Sequence, residues 1–517
     1  MLTQDGINLA DLPFRAFVPL FLALLALVCA PLALTAVPPL LDYPNHLARM
    51  YLLAYLDHAP VLQQFYQLAW RPLPDLAMDA LVPPLLHVMP LEWAGKLFLV
   101  ATYALLTSGV AVLHRVLFGR WSAWPCLAFL LVYNRLLLWG FLNFLFGLGL
   151  ALWAFAAWAA WRERGLAWRL GCGLVLALVV YFAHLMAFGV YGALVLSYEA
   201  ALLLRAKASP LAAWRTLLVA FLPMLPPLAL FVTTFVPLHG SAGMAALGIQ
   251  FANPARKLDL LFNVFDAYSR PADIACFVVA VLGLGLAYWR RWVRLAPGMA
   301  AVLAVFALIY LLMPSTLFGA TSADHRLPLV MALLLIGGST WRAPSPSLQR
   351  VFLGAASAML MLRLGMVALS WQASGRVYAE ILPGLDLVPE GGCLAVAYTG
   401  EDIHAEATPL VHLPVLAIAR REAFVPSLFT YASQQPVAFT PEYRQLASYL
   451  SADMLWSHFV AGGRPIEGPY AEALAKCDDI AFSGRRPFAL SVTAGLEPVF
   501  VSPRFQIYRL VHAGAKP

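Results

Sequence analysis

One short segment concentrates residues that could do chemistry. It follows a long apolar run and reads Asp42-Tyr43-Pro44-Asn45-His46-Leu47-Ala48-Arg49. If residues 46–58 form a helix, His46 and Arg49 share one face of it. A carboxylate at a membrane surface, with an imidazole one turn away, can act as a general base or bind a cation. Asp42 and His46 are therefore candidate catalytic residues, and Arg49 is a candidate substrate-binding residue. The alternative is a capped interfacial helix whose charges meet lipid headgroups.

Two further candidate groups lie later in the chain. His184 falls between two apolar segments, and Asp324, His325 and Arg326 stand together ahead of another. Ionisable groups at membrane depth are costly, so each is a candidate for substrate binding. Arg326 suits an anion because its guanidinium forks onto phosphate oxygens. The alternatives are a packed, hydrogen-bonded histidine and an ordinary cluster of loop charges.

Weaker candidates for substrate binding lie in predicted outer turns and loops: Asn134, Arg135, Asp266 and Arg270. No metal site is expected with confidence, although Asp42 with His46 or His184 could bind one divalent ion. The sequence contains no P-loop, no GxGxxG after a strand, no HExxH and no GxSxG motif. An ATP-driven pump, a nicotinamide enzyme, a zinc protease and a serine hydrolase are therefore unsupported.

The composition indicates that these residues belong to a membrane protein. The chain has 517 residues, of which 62% are hydrophobic and 12% are charged, and its mean hydropathy is +0.77. A soluble domain is roughly 45–50% apolar and about 25% charged, so the soluble, disordered and coiled-coil classes are excluded. Apolar runs of about 20 residues recur through the first 370 positions, long enough to cross a bilayer as helices.

Charge and proline or glycine breaks divide these runs into about eleven predicted spans. The expected spans are 17–41, 92–114, 120–134, 139–161, 168–183, 185–204, 214–236, 272–289, 296–313, 327–341 and 350–371.

The basic residues predict the orientation of these spans. With the N-terminus in the cytoplasm, every inside loop is short and basic, as the positive-inside rule requires. Those loops carry Arg115, Arg120, Arg162, Arg164, Arg169, Arg205, Lys207, Arg215, Arg290, Arg291, Arg294, Arg342 and Arg350. This pattern accounts for the net charge of +7 without a nucleic-acid partner. It predicts a multi-pass membrane protein whose tail lies outside the cytoplasm if the number of spans is odd.

Two outer segments are long enough to have their own structure. The first outer loop, residues 42–91, contains two helix-like stretches, 46–58 and 75–89, expected to lie along the interface. The tail, residues 372–517, is expected to form a small α/β domain outside the membrane domain, residues 1–371. Strands are predicted at 393–398 and 479–482, with a terminal pair at 499–501 and 505–510. Cys393 and Cys477 could form a disulfide or stay as two reduced buried thiols.

The Asp42-Tyr43-Pro44-Asn45-His46-Leu47 segment resembles the acidic first-loop motif of the GT-C superfamily of membrane glycosyltransferases. The similarity is to bacterial members related to the protein mannosyltransferase and aminoarabinose transferase families. The order of elements is also similar: one span, a long outer loop with two helices, many more spans and an outer α/β tail. The predicted fold class is thus a polytopic α-helical membrane protein of GT-C-like architecture with an extracytoplasmic α/β domain.

The resemblance implies a polyprenyl-phosphate-linked sugar as donor and transfer at the outer face of the bacterial cytoplasmic membrane, with the tail in the periplasm. Asp42 would be the catalytic carboxylate, and Arg326, with Arg270 or Arg135, would hold the lipid phosphate. Many members carry paired acidic residues in this loop, whereas residue 43 here is Tyr, which weakens a metal-dependent mechanism. The implied partners are membrane lipids, the lipid-linked donor and a glycan, lipid or protein acceptor.

Other functions remain open at this level. An oligosaccharide ligase or polymerase would share the lipid-linked donor and the outer-face chemistry. A transporter or flippase of lipid-linked glycans would show midplane charges and internal repeats, neither of which the sequence contains. A non-catalytic assembly subunit would use the outer domain to bind partners.

Overall fold

The computed structural model describes residues 11–235, 249–251, 253–317, 321–342, 345–399, 410–432 and 434–511. Position 236, the predicted end of the seventh span, lies outside these ranges. The α-helices are α1 Phe14–Cys29, α2 Tyr43–Tyr55, α3 Pro60–Phe65, α4 Ala77–Leu85, α5 Leu91–Phe118, α6 Arg135–Trp139, α7 Leu142–Ala160, α8 Leu166–Ala183, α9 Leu185–Ala206, α10 Pro210–Phe221, α11 Leu225–Leu230, α12 Arg256–Leu261, α13 Arg270–Trp289, α14 Met299–Leu312, α15 Leu327–Gly337, α16 Pro346–Leu385, α17 Ala417–Arg421, α18 Pro441–Tyr449, α19 Ala452–Phe459 and α20 Pro469–Leu474.

Each of the eleven predicted spans falls on helical structure. Within the described ranges, eight helical segments are long and apolar enough to cross a membrane: Phe14–Leu34, α5, α7, α8, α9, Pro210–Thr234, α13 and α16. The third, ninth and tenth predicted spans correspond to shorter apolar helices, Trp124–Trp139, α14 and α15. The predicted polytopic helical architecture is therefore confirmed.

Several predicted boundaries shift for local reasons. The first span ends at Leu34 rather than 41, because the 3₁₀ segment Ala30–Leu34, with Pro31 in its first turn, closes the helix. The third span is a 3₁₀ segment, Trp124–Leu131, that is interrupted at Asn134, where the backbone is extended. The membrane domain is predicted to end at position 371, where the composition changes. Helix α16 continues through this position to Leu385.

Helices α5 and α7 pack closely against each other at glycine residues. A Cβ on Gly149 of α7 would lie 2.8 Å from the backbone nitrogen of Leu106 in α5. A Cβ on Gly109 of α5 would lie 2.9 Å from Cβ of Leu152. Small residues at these positions allow the two helix backbones to approach each other, a common device in membrane helix pairs. These contacts hold the middle of α7 against α5.

The loops predicted to be cytoplasmic meet at one end of the bundle. Strand β2, Val293–Leu295, pairs antiparallel with β3, Ser339–Trp341. Leu12, near the N-terminus, forms an isolated bridge with Trp121. Segments that pair through backbone hydrogen bonds lie on the same side of the membrane, so the grouping agrees with the assignment from basic residues.

The first outer loop and the tail are joined at the other end. Strand β1, Tyr66–Leu68, pairs antiparallel with β5, Val437–Phe439, in the register Tyr66 to Phe439. Helix α2 packs against α4, α5 and the tail segment Leu413–Leu416. Eight of its thirteen residues are buried, so α2 lies inside the protein. We expected a helix lying along the membrane interface, and the covering tail is the reason for the difference.

The tail contains a four-stranded sheet in the order β4-β6-β8-β7. Its strands are β4 Leu394–Ala397, β6 Asp479–Ser483, β7 Leu496–Val501 and β8 Phe505–Leu510. Strands β4 and β6 are parallel, and β8 runs antiparallel to both of its neighbours. All four predicted strands are present, the third extended toward its N-terminus. Cys393 and Cys477, left open by the sequence, form a disulfide between the segments that enter β4 and β6.

We expect Tyr66→Phe to loosen the tail from the first outer loop. The buried Tyr66 hydroxyl donates to the Ala423 carbonyl at 3.1 Å and accepts from the Val425 N–H at 2.9 Å. Leaving these backbone groups unpaired should cost about 1–3 kcal/mol. Limited proteolysis of the tail measures the loosening as faster cleavage. Tyr431→Phe, at a side chain that is mostly exposed, should leave the cleavage rate unchanged.

Candidate active site

Asp42 is positioned by a close approach between the first outer loop and α6. The Asp42 N–H donates to the Trp139 carbonyl at 3.2 Å, and the Leu41 N–H donates to the Leu138 carbonyl at 2.8 Å. Gly140, which ends α6 in the left-handed region at φ 91°, faces Asp42 directly. A Cβ at position 140 would lie 2.9 Å from Cβ of Asp42. Only glycine combines this backbone conformation with this contact, so residue 140 sets the location of the carboxylate.

His46 lies one turn further along α2 and faces the same glycine. Its Nε2 lies 3.0 Å from the Gly140 carbonyl oxygen, and its Nδ1 lies 3.1 Å from Nη2 of Arg49. A carbonyl can only accept, so Nε2–H is the donor and Nδ1 accepts from Arg49. Burial, helped by the nearby Arg49 charge, lowers the pKa of His46 to about 3. The imidazole is therefore neutral, with both nitrogens bound within the protein.

Arg49 is held by a carboxylate that the sequence analysis did not single out. Its Nε lies 2.6 Å from Oδ1 of Asp79, and its Nη2 lies 3.2 Å from Oδ2. Both side chains are fully enclosed, with 2% and 0% exposed. The pair ties α2 to α4, while Nη1 of Arg49 has no hydrogen-bond partner among the residues that the structure describes. Asp79 falls in the predicted stretch 75–89, but its spacing from Arg49 gives no sign of the contact.

The Asp42 carboxylate remains accessible. Its side chain is 20% exposed, and its Oδ1 lies 3.5 Å from Nε2 of His412, a residue of the tail. Burial raises the pKa of Asp42 to about 7, and the positive charge of Arg49 opposes part of this shift. A carboxyl group that titrates near neutrality is suited to take a proton from a substrate hydroxyl. His412 was missed from the sequence because it lies far from Asp42 along the chain and in no recognisable motif.

Arg326 is a buried cation with few strong partners. Its guanidinium carbon lies 4.6 Å from the ring centre of Phe141 and 5.7 Å from that of Phe144. Nη1 donates over long distances to the carbonyls of Ser322, 3.4 Å, and Thr321, 3.5 Å. No carboxylate lies within ion-pair distance, and Nε has no hydrogen-bond partner, as far as the described residues go. The Nε–H of the guanidinium is thus an unpaired hydrogen-bond donor in the described part of the chain.

The two residues that precede Arg326 are committed to neighbours. Asp324 forms a 2.9 Å ion pair with Lys257, and the same ammonium donates to the Met313 carbonyl at 2.6 Å. His325 accepts a 2.8 Å hydrogen bond from Asn263. Its ring centre also lies 5.0 Å from that of Trp139. Within the predicted triplet, Oδ1 of Asp324 and Nε of Arg326 are the buried polar atoms without a hydrogen-bond partner among the described residues.

His184 lies close to Arg326 at the junction of α8 and α9. Its Nδ1 accepts from the Met186 N–H at 3.0 Å and so caps α9. Its Nε2 lies 3.6 Å from Oδ1 of Asp75, and its ring centre lies 5.3 Å from that of Phe144. Phe144 is the same ring that Arg326 contacts. The structure therefore places His184 beside Arg326, with Asp75 as a neighbour that the sequence analysis had not selected.

The weaker candidates bind within the protein. Asn134 caps α6 by accepting from the N–H groups of Leu136 and Leu137. Arg135 forms a 2.5 Å ion pair with Asp266, which ties α6 to the loop ahead of α13. Arg270 lies over the Phe262 ring at 5.6 Å. Each of these side chains thus has a structural contact within the protein. The role of these residues in substrate binding stays a prediction.

Residues 138–144 connect the two main groups. Their backbone carries the carbonyls that contact Asp42 and His46. Their aromatic side chains Trp139, Phe141 and Phe144 contact His325, Arg326 and His184. The candidate base and the candidate anion-binding arginine therefore border one short segment between α6 and α7.

The residues considered for a metal do not assemble into a site. His46 has both nitrogens engaged, and His184 faces Asp75 rather than Asp42. In the described parts of the chain, no group of three or more His, Cys, Asp or Glu residues is placed to hold an ion. The donor set at Asp42 therefore does not fit a divalent cation, and no step is derived through one.

Comparison with known proteins identifies a relative by structure. No family model and no curated protein matches the sequence. Among solved structures, the chain is similar to ArnT from Cupriavidus metallidurans, determined bound to undecaprenyl phosphate. The TM-score is 0.55 and the sequence identity is 13%, over 98% of this chain and 100% of that chain. The fold expected from the Asp42 segment is confirmed over nearly the whole length: this chain has a GT-C-like fold.

Proposed function

We propose that the protein transfers a sugar from a polyprenyl-phosphate-linked donor to an acceptor at the outer face of the bacterial cytoplasmic membrane. Asp42 is the general base, and Arg326 holds the lipid phosphate. The observation that carries the proposal is the placement of these two groups on either side of residues 138–144. One is a carboxylate whose pKa is raised by burial to about 7, and the other is a buried guanidinium with no carboxylate within ion-pair distance among the described residues.

The reaction needs both groups. Asp42 takes the proton of the acceptor hydroxyl as its oxygen attacks the anomeric carbon of the sugar. The bond from that carbon to the phosphate oxygen breaks, and the electron pair leaves with the lipid phosphate. Arg326 stabilises the charge that develops on the departing phosphate, where a preorganised donor in a low-dielectric site is most effective. No nucleotide is involved, in keeping with the absence of nucleotide-binding motifs.

The ligand of the fold relative supports the proposed donor class. The ArnT structure was determined with undecaprenyl phosphate. A phosphate monoester offers pairs of oxygens that a guanidinium can contact in bidentate fashion. Arg326, buried against Phe141 and with its Nε unpaired among the described residues, offers matching donors. We infer that the same chemical class binds here, while the sugar, hexose or pentose, and the acceptor, a glycan, lipid or protein, stay open.

The proposed sidedness rests on contacts and charges. The first outer loop and the tail share the β1–β5 pairing, so both lie on one side of the membrane. The basic loops favour a cytoplasmic N-terminus and place this shared side in the periplasm. The disulfide between Cys393 and Cys477 agrees with an oxidising compartment.

Transfer from defined lipid donors tests the proposal. The full chain in lipid nanodiscs is incubated with undecaprenyl-phosphate-linked pentoses and hexoses together with candidate glycan, lipid and protein acceptors, and the release of undecaprenyl phosphate is measured. We expect release from at least one donor. Undecaprenyl phosphate should inhibit the reaction, and uncharged undecaprenol should not, because Arg326 binds the phosphate. Movement of intact donor across a bilayer without cleavage would instead indicate a flippase.

A further inference from the structure

The tail reaches the candidate base directly. The 3₁₀ segment Leu413–Leu416 packs against α2, and His412 immediately precedes it. Nε2 of His412 lies 3.5 Å from Oδ1 of Asp42. The histidine side chain is 3% exposed, whereas that of Asp42 is 20% exposed. His412 therefore lies close to one oxygen of the carboxylate, while the Asp42 side chain keeps part of its surface exposed.

The imidazole of His412 is fixed in this position by aromatic rings. The ring centres of Tyr398 and Phe429 lie 5.8 Å and 5.0 Å away, both edge to face. The backbone N–H of Phe429 donates to Oδ1 of Asn45 at 3.0 Å. Asn45 belongs to α2, the helix that Asp42 begins. One of the two rings beside His412, that of Phe429, is thus anchored to the helix that follows the carboxylate.

The polar contacts of His412 point to Asp42. Its Nδ1 is buried and has no hydrogen-bond partner among the described residues. Burial lowers the pKa of His412 to about 4, so the ring is neutral when Asp42 titrates. A neutral ring with Nε2–H can donate toward the Asp42 carboxylate. The other titratable or charged groups that face Asp42 are Arg49 and Tyr398, and His46 is near His412.

We propose that His412 is a positioning residue for Asp42, so that the tail completes the active site. Its Nε2–H holds one carboxylate oxygen and leaves the other to take the proton of the acceptor. The contact favours the charged carboxylate over the neutral carboxylic acid, because a donor stabilises an anion. This role rests on the proposed function, in which Asp42 is the base.

The pH profile of the transfer reaction tests this role. In His412→Phe, which keeps the ring shape without the donor, the acid limb of kcat should move to higher pH by about one unit. His412→Gln, which keeps an N–H donor, should move the limb less. His458→Phe is the control, since His458 lies in the tail and contacts only its own neighbourhood. An unchanged limb in His412→Phe, with a normal melting temperature, would overturn the inference.

An infrared titration separates this inference from the proposed function. The C=O stretch of the protonated Asp42 carboxyl is followed with pH in the absence of substrate, with Asp42→Asn as the blank. We expect the midpoint to rise in His412→Phe and to stay unchanged in His458→Phe. If the midpoint is the same in His412→Phe as in His458→Phe, the coupling of His412 to Asp42 is refuted. Retained transfer in Asp42→Asn would instead refute the proposed function, whatever the infrared midpoints are.

Discussion

We expect Asp42→Asn to lower the rate of sugar transfer by about 10²–10⁴-fold, the range that a positioned general base contributes. The amide has nearly the same shape as the carboxylate, so the backbone contacts to Trp139 and the packing on Gly140 are kept. The amide cannot accept a proton from the acceptor hydroxyl. Release of undecaprenyl phosphate from the lipid-linked sugar measures the loss.

The effect should be specific to the reaction. Asp57→Asn is the matched control, because Asp57 lies in the same outer loop and its side chain is exposed. We expect it to retain full activity, and both variants to melt at the wild-type temperature. Full activity in Asp42→Asn would contradict the assignment of the base.

The pH dependence of the wild-type transfer rate should also reveal Asp42 as the base. Burial raises the pKa of Asp42 to about 7, so the carboxylate is half protonated there. Only the charged form accepts a proton, and the rate should therefore fall about tenfold per pH unit below that value. Asp42→Asn should lack this limb.

The second large effect is expected for Arg326→Gln. Loss of one preorganised donor to a developing charge lowers kcat by about 10²–10³-fold. The binding of undecaprenyl phosphate should weaken as well, because the guanidinium contacts the phosphate before and after transfer. Calorimetric titration of the nanodisc-embedded protein with undecaprenyl phosphate measures the binding. Arg326→Lys should recover part of the affinity, since the charge remains while the bidentate contact is lost.

A control for this variant is available at the opposite end of the bundle. Arg290 also lies over an aromatic ring, that of Trp289, at 5.0 Å. It belongs to a loop predicted to be cytoplasmic, so Arg290→Gln should leave both affinity and rate unchanged. Wild-type affinity for undecaprenyl phosphate in Arg326→Gln would exclude this arginine as the phosphate-binding group and direct attention to Arg135 or Arg270.

Local patterns in the sequence were enough to predict the elements. Apolar runs of membrane length locate helices because each backbone group must be satisfied within its own segment in lipid. Alternation and turn residues locate the four strands of the tail sheet for a similar local reason. Helical spacing alone pairs His46 with Arg49, and in the structure Nδ1 of His46 lies 3.1 Å from Nη2 of Arg49. The prominence of Asp42 and Arg326 follows from the cost of ionisable groups beside apolar runs.

Partners that lie far apart in the chain were decided by the tertiary structure. His412 contacts Asp42 across some 370 residues, and Asp79 pairs with Arg49 from a separate helix. The burial of α2, expected at the interface, also depends on the tail that covers it. No local sequence pattern predicts such contacts, because they form only when packing brings together segments that are far apart in the chain. The sequence by itself determined the spans, the strands and the residues able to react; packing decided which of those residues meet and which remain free for a substrate.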